Sequence, residues 1–257
     1  LASMAALERK HRKRLVHALD VHWYPEARGT KRITLEDASR KTVDARLQAP
    51  RSLWDPDYKE RSFITEQTGK PIALIGWLRS KIDKRYPGTK LAMTEYNYGA
   101  TTHISGCLAQ VDALGVFGRE GVYLATYWGK GAGVDALPSY VSAAFKLYRN
   151  YDGKGAAFGD TAVTATSSDD DAASIFAATD SKQPGRLTII VVNKDQQKKF
   201  DGRIQVGARA RCNELRTFGI DREAPAVRAL SGASFEGGEL HAELPPLTAT
   251  LFVCEKR

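Results

Sequence analysis

LAMTEYNYG, Leu91 to Gly99, is the stretch whose reading decides the fold. Leu91, Ala92 and Met93 form the apolar end of a short strand, and Thr94, Glu95, Tyr96, Asn97 and Tyr98 follow before Gly99 permits a sharp exit. A carboxylate among aromatics at a strand's end has two readings. Burying Glu95 is costly unless it is hydrogen-bonded or performs chemistry, and aromatics at the end of a parallel strand make a wall on which a flat substrate stacks. The alternative is a structural Glu paired with an Arg, since ion-pair networks perturb carboxylates too.

The chain on either side supplies more strands of the same kind. Upstream, Leu19 to Tyr24 (LDVHWY) places Leu19, Val21 and Trp23 on one side and Asp20, His22 and Tyr24 on the other. That second, polar set points inward if the strand belongs to a barrel. Pro25 ends the strand and leaves Glu26 in a loop. From Pro71 a helix carries Ile75, Leu78 and Ile82 at helical spacing until Pro87-Gly88 stops it, delivering the chain into the Leu91 strand. Between them, Gly29 to Arg40 reads as a long polar loop, and Thr42 to Leu47 as a helical turn. APRSLWDPDYKERSF, with Trp54 and Tyr58, reads as an ordered excursion over a strand's end. Residues 1–14 form a helix with Leu1, Met4 and Leu7 at a spacing of three and Lys10 to Arg14 as its basic end, where cations suit the dipole.

Downstream the pattern repeats. Ile104, Leu108, Val111 and Leu114 mark a helix, Val122 to Trp128 (VYLATYW) a strand, and Val141, Ala144, Phe145 and Tyr148 another helix. Alternating strands and helices with connections of crossover length predict a parallel α/β sheet or barrel. Three strands are visible, and a closed eight-stranded barrel needs more chain than residues 1–152 provide. Past Asp152-Gly153 the texture changes to short apolar and β-branched segments: Ala162 to Thr166, Ala173 to Thr179, Leu187 to Val192, Phe200 to Val206, Arg211 to Phe218 and Leu247 to Cys254. Turn signals (DDD, KQPG, NKDQ, EGG) separate them, which predicts an antiparallel β-sandwich over 153–257. Asp169 to Asp171 is read as a solvated turn, because its spacing lacks a calcium-loop pattern.

Net charge +8 over 257 residues admits nucleic acid as a partner. The basic residues are scattered singly and no nucleic-acid-binding motif occurs, so the charge reads as a solvated surface. No run approaches the roughly 20 apolar residues of a membrane helix. The N-terminal segment has its basic cluster after its apolar residues, the reverse of a secretory signal; a mature secreted protein looks the same, and the compartment stays open. Cys107, Cys212 and Cys254 lack metal-ligand spacing. Cys107 lies on an apolar helical face, and Cys212 and Cys254 can pair only if their strands are neighbours.

Three motifs taken in order, LDVHWYPEARG (Leu19 to Gly29), MTEYNYG (Met93 to Gly99) and VYLATYWG (Val122 to Gly129), followed by SAAFKLYRNYDGKGAAFGDTAV and a β-rich tail, resemble glycoside hydrolase family 44. The resemblance implies secreted endoglucanases and xyloglucanases with a TIM-like barrel and a β-sandwich. By that likeness the three strands are the sixth, seventh and eighth of a (β/α)8 barrel, and Glu95 matches the family's nucleophile on the seventh. A retaining glycosidase pairs its nucleophile with a second carboxylate about 5–5.5 Å away that protonates the leaving oxygen. That acid belongs after an Asn on the fourth strand, and the chain holds no Asn-Glu-Pro; its one Asn-Glu pair, Asn213-Glu214, falls in the sandwich. The sequence therefore resembles the C-terminal half of such an enzyme, with the missing N-terminal half expected as another segment or chain.

The resulting expectation is a retaining endo-β-1,4-glucanase half acting on cellulose, xyloglucan or xylan, with Glu95 catalytic and His22, Trp23, Tyr24, Glu26, Tyr96, Tyr98 and Trp128 contacting substrate. No cofactor or metal is expected. Each residue has a plainer reading beside it. Trp128 packs against helices, His22 and Tyr24 fill a hydrogen-bonded interior, and one of Tyr96 and Tyr98 only packs. Glu26 forms a surface pair with Arg28 rather than standing in for the acid, and Trp54 anchors a loop rather than lining a distal subsite. The rival reading from another class is a non-catalytic carbohydrate-binding or scaffolding module.

Overall fold

The structure, a computed structural model, describes residues 1–129, 139–207 and 210–256. The chain divides into two units, Leu1–Gly99 with Val116–Gly131, and Ala100–Gly115 with Ala132–Arg257.

The first unit is built on a parallel sheet of three strands, β1 (Ala18–Trp23), β2 (Lys90–Tyr96) and β3 (Leu124–Tyr127), with β2 in the middle. Four α-helices belong to the same unit, α1 (Ala2–His11) before β1 and α2 (Arg40–Gln48), α3 (Phe63–Thr68) and α4 (Leu74–Arg85) between β1 and β2. Helix α4 buries Ile75, Leu78 and Ile82 as their spacing predicts, although it begins three residues after Pro71. Helix α1 buries none of its residues, and Met4 and Leu7 are exposed, so its apolar stripe adds nothing to this core. The APRSLWDPDYKERSF segment departs from expectation. Ala49–Leu53 is a 3-10 helix in which Ala49, Ser52 and Leu53 are fully buried, so the segment is part of the core and not a covering loop. Its turn is internally satisfied: the Asp55 carboxylate pairs with Arg51 at 2.7 Å and accepts from the backbone N–H groups of Asp57 and Tyr58.

A buried cation organises the polar loop after β1. Arg46 of α2 has no exposed surface, and its guanidinium donates to the carbonyls of Ile33 (2.9 Å), Leu35 (2.9 Å), Asp37 (3.1 Å) and Tyr98 (3.2 Å). Burial pulls its pKa down to about 10, which still leaves it charged at neutral pH. Gly99 (φ +71°) closes the same region, since a Cβ there would sit 2.4 Å from the Ile33 carbonyl oxygen.

The second unit holds most of α5 (Ile104–Arg119), then α6 (Ser139–Arg149) and two antiparallel sheets. The larger sheet is formed by β4 (Thr161–Val163), β5 (Ala173–Thr179), β6 (Arg186–Asn193), β8 (Glu214–Ile220), β9 (Arg228–Leu230) and β12 (Thr248–Glu255), ordered β4-β5-β6-β12-β8-β9. The smaller is β10 (Ser234–Glu236), β11 (Glu239–Leu244) and β7 (Phe200–Gln205), ordered β10-β11-β7. Ile189, Val191 and Phe252 of one sheet pack with Leu240, Ala242 and Leu244 of the other. Strands β9, β10 and β11 are not anticipated from the sequence. Asp169 makes the expected turn, its Oδ1 accepting from the backbone N–H groups of Asp171 and Ala172.

Cys212 lies two residues before β8, and Cys254 lies on the neighbouring β12, so the sheet brings them together as a disulfide with a Cα separation of 5.2 Å. Cys107 is a buried thiol whose pKa is raised by desolvation. The bridge spans 42 residues, a loop whose closure entropy is worth about 4 kcal/mol. Cys212→Ser with Cys254→Ser should lower unfolding stability by that order in urea denaturation under oxidising buffer, with the wild type falling to the same midpoint once reduced. Among the described residues, no helix is long and apolar enough to cross a membrane.

Candidate active site

The site is assembled at the ends of β1 and β2, where a break in register aims the carboxylate. Val21 of β1 stands opposite Met93 of β2, but the next pair is His22 with Glu95, so Thr94 has no opposite residue. On the other side, Met93 pairs with Ala125 and Tyr96 with Tyr127, leaving Thr94 and Glu95 together across from Thr126. This is a β-bulge, in which one extra residue bends a strand and redirects a side chain. Without it, strict alternation would turn Glu95 to the side of fully buried Met93. With it, Thr94 meets Asp20 while Glu95 meets His22 and Tyr24 on the polar side of β1.

Two groups converge on one oxygen of Glu95. The Tyr24 hydroxyl donates to Oε2 at 2.9 Å, and His22 Nδ1 lies 3.3 Å from the same atom. No described residue holds Oε1, and the Glu95 side chain is 28% exposed. Desolvation, followed by the Glu95 contact, pushes the Tyr24 pKa up to about 12, so its phenol remains a proton donor throughout the physiological range. The result is a carboxylate oriented through one oxygen and open at the other.

Arg32 fixes the loop that carries Tyr24. Its guanidinium donates to the carbonyls of Pro25 (3.1 Å) and Tyr24 (3.2 Å) and pairs with Glu26 at 2.6 Å. Glu26 is thus tied to Arg32, not to Arg28 as expected from their proximity in sequence. Beyond β2, Asn97 Oδ1 accepts from the Gly99 backbone N–H (2.6 Å), and its Nδ2 donates to the Trp128 carbonyl (2.7 Å). Trp128 follows β3 directly, its backbone N–H bonded to the Tyr96 carbonyl at 3.0 Å, and it is 58% exposed. A large, mostly exposed indole held through its backbone has the area to stack on a flat ligand.

Three of the residues expected to touch substrate are placed in the core instead. Tyr96 is 0% exposed, packed edge-on against Phe117 (5.0 Å) and Tyr127 (5.9 Å). Tyr98 is 1% and Trp23 8% exposed. The pleat explains Trp23 and Tyr96: each follows its site-facing neighbour, His22 or Glu95, and so takes the opposite face. Trp54 sits under the Arg119 guanidinium, 4.1 Å from ring centre to Cζ, an anchoring contact. Among the described residues, no group of three or more His, Cys, Asp or Glu side chains is arranged to hold a metal ion.

The site is therefore a partly exposed carboxylate at a strand end in a parallel sheet, hydrogen-bonded by a phenol and flanked by an imidazole, in a chain that continues into two packed antiparallel sheets. No family model matches the chain. Its relatives are nevertheless clear. It is 42% identical over 240 residues to endoglucanase A of Paenibacillus lautus, covering 92% of this chain and 34% of that protein. It is also 36% identical over 248 residues to beta-mannanase/endoglucanase A of Caldicellulosiruptor saccharolyticus, covering 91% of this chain and 18% of that protein. Among solved structures, a family 44 endoglucanase produced by Clostridium acetobutylium superposes with a TM-score of 0.93 at 40% identity, over 100% of this chain and 50% of the other. A Paenibacillus polymyxa family 44 xyloglucanase, solved with xyloglucan, gives 0.92 at 39% identity over the same shares. Throughout its length the chain is similar to members of glycoside hydrolase family 44, and it spans about half the length of the solved members it matches.

Proposed function

We propose that this chain is the C-terminal half of a secreted, retaining endo-β-1,4-glucanase and supplies its nucleophile, Glu95. The observation that carries the reading is the convergence of Tyr24 and His22 on Glu95 Oε2 with Oε1 left open. In a retaining mechanism, Oε1 attacks the anomeric carbon, the bond to the leaving oxygen breaks as the second carboxylic acid protonates it, and water then hydrolyses the glycosyl ester. That acid is furnished by the N-terminal half, whose strands complete a (β/α)8 barrel in which β1, β2 and β3 are the sixth, seventh and eighth. The barrel ends near residue 152 and the sandwich follows. Trp128 forms the floor for the sugar at the cleavage point, while His22, Tyr24 and Glu26 contact hydroxyls. Trp23, Tyr96 and Tyr98 support these groups from the core. The substrate is a β-1,4-linked polysaccharide such as cellulose, xyloglucan or xylan. The disulfide and the secreted character of such enzymes support a location outside the cell.

A mechanism-based label tests the assignment. The complete enzyme, incubated with a 2-deoxy-2-fluoro cellobioside carrying a good leaving group, should accumulate a covalent adduct on the peptide containing Glu95. An adduct on another carboxylate overturns it, and binding without adduct or turnover favours a non-catalytic carbohydrate module. Tyr24→Phe removes a hydrogen bond to a charged group, worth about 1.5–3 kcal/mol, so kcat/KM on carboxymethylcellulose should fall by about 10- to 100-fold. An unchanged rate would mean that the phenol is a bystander.

A further inference from the structure

The bulge that aims Glu95 leaves the Thr94 peptide unit out of the sheet's regular pairing, and its polar groups are taken up by side chains from both neighbouring strands. From β1, Asp20 Oδ1 accepts the Thr94 backbone N–H at 3.1 Å, and Oδ2 accepts the Thr94 hydroxyl at 2.5 Å. From β3, the Thr126 hydroxyl donates to the Thr94 carbonyl. A bulge normally leaves its extra residue unpaired, and bulges between parallel strands are uncommon. Here a bidentate carboxylate and a hydroxyl grip the extra residue from opposite sides.

We infer that Asp20 and Thr126 form a latch that locks the Thr94 bulge and thereby sets the direction of Glu95, making Asp20 a positioning residue for the nucleophile. The inference rests on Glu95 being that nucleophile. The geometry leaves few alternatives for Asp20. Both its oxygens are committed to one residue, the neighbour of Glu95, and the Thr94 hydroxyl bond holds its pKa below the usual carboxylate range, so it stays an ionised double acceptor. Releasing Asp20 frees the Thr94 peptide to slip toward regular pairing. A one-residue slip exchanges the faces of β2, carrying Glu95 away from Tyr24 and His22. A displacement of only about 1 Å in a reacting group can cost on the order of 100-fold in rate.

The experiment compares Asp20→Ala, Asp20→Asn, Thr126→Val and Thr94→Ser in the complete enzyme, with Glu95→Gln as the reference. Two quantities are read: kcat and KM on carboxymethylcellulose, and hydrogen–deuterium exchange of the backbone across residues 92–97. Asp20→Ala should lower kcat by about 10- to 100-fold with KM within about twofold, and should speed exchange at Thr94 and Glu95. Thr126→Val should do the same to a smaller degree, and Asp20→Asn, which keeps one acceptor, should fall between. Thr94→Ser, which keeps the hydroxyl, should retain the wild-type kcat. A rise in KM at constant kcat would make Asp20 a substrate contact and overturn the latch, as would unchanged exchange in both Asp20→Ala and Thr126→Val. If Asp20→Ala fails to fold, Thr126→Val decides the matter by the same two readings. Should Glu95→Gln remain active, the nucleophile assignment falls, and the exchange data alone then tell whether Asp20 holds the bulge.

Discussion

Glu95→Gln in the complete enzyme is expected to reduce turnover of carboxymethylcellulose by on the order of 10⁴-fold or more, the scale seen when an enzyme loses its nucleophile. Gln has the same shape and keeps an oxygen for the Tyr24 hydroxyl and His22, so folding and glucan affinity should persist. What disappears is the negative charge at the open oxygen. A second variant separates attack from mere electrostatics. Glu95→Ala leaves room for a small external nucleophile, and azide should restore measurable rate on an activated cellobioside, giving a product of α configuration because only one displacement has taken place. A β product, or near-wild-type activity in Glu95→Gln, would remove Glu95 from the mechanism.

The second large effect concerns stability in the other unit. Asp112 of α5 and Lys194, just after β6, form an ion pair at 3.3 Å with side chains only 3% and 2% exposed. The Ser174 hydroxyl donates to Asp112 at 3.0 Å, and the Lys194 ammonium donates to the Asp170 carbonyl at 3.0 Å. Both side chains are buried, and each has a second hydrogen-bond partner besides the other. Asp112→Ala or Lys194→Ala strands the other charge in the interior, and each should destabilise by about 3–5 kcal/mol. Thermal denaturation should show midpoints lower by about 6–20 °C. The paired replacement Asp112→Leu with Lys194→Met should recover much of the loss, since a packed apolar pair needs no compensation. Single variants within about 1 kcal/mol of wild type would show that water reaches the pair.

Both features bear on what could be read in the sequence. Elements with one clean period were legible: Ile75, Leu78 and Ile82 announced α4, the alternation of LDVHWY announced the polar face of β1, and the β-branched runs announced β5, β6 and β12. The motif order placed Glu95 at a strand's end. What escaped depends on tertiary partners. ELHAEL reads equally as helix or strand, and only packing against the facing sheet, with Leu240, Ala242 and Leu244 buried, decides for β11. Arg46 looks like one of many surface cations until the carbonyls of residues 33–37 wrap around it. The bulge at Thr94 has no sequence mark, because neither glycine nor proline accompanies it. Strict alternation through MTEY would put Tyr96 rather than Glu95 on the polar side of β1, and the burial of Tyr96 and Tyr98 follows from packing that their aromatic character does not announce.

Asn97 has a consequence for anyone altering the residues around Glu95. Its single amide group bonds both the turn at Gly99 and the carbonyl of Trp128. The exit of one strand and the indole beyond the next therefore share one mechanical joint. Substitutions made singly and together at 97 and 128 should be non-additive, the double variant departing from the sum of the two singles by more than about 0.5 kcal/mol.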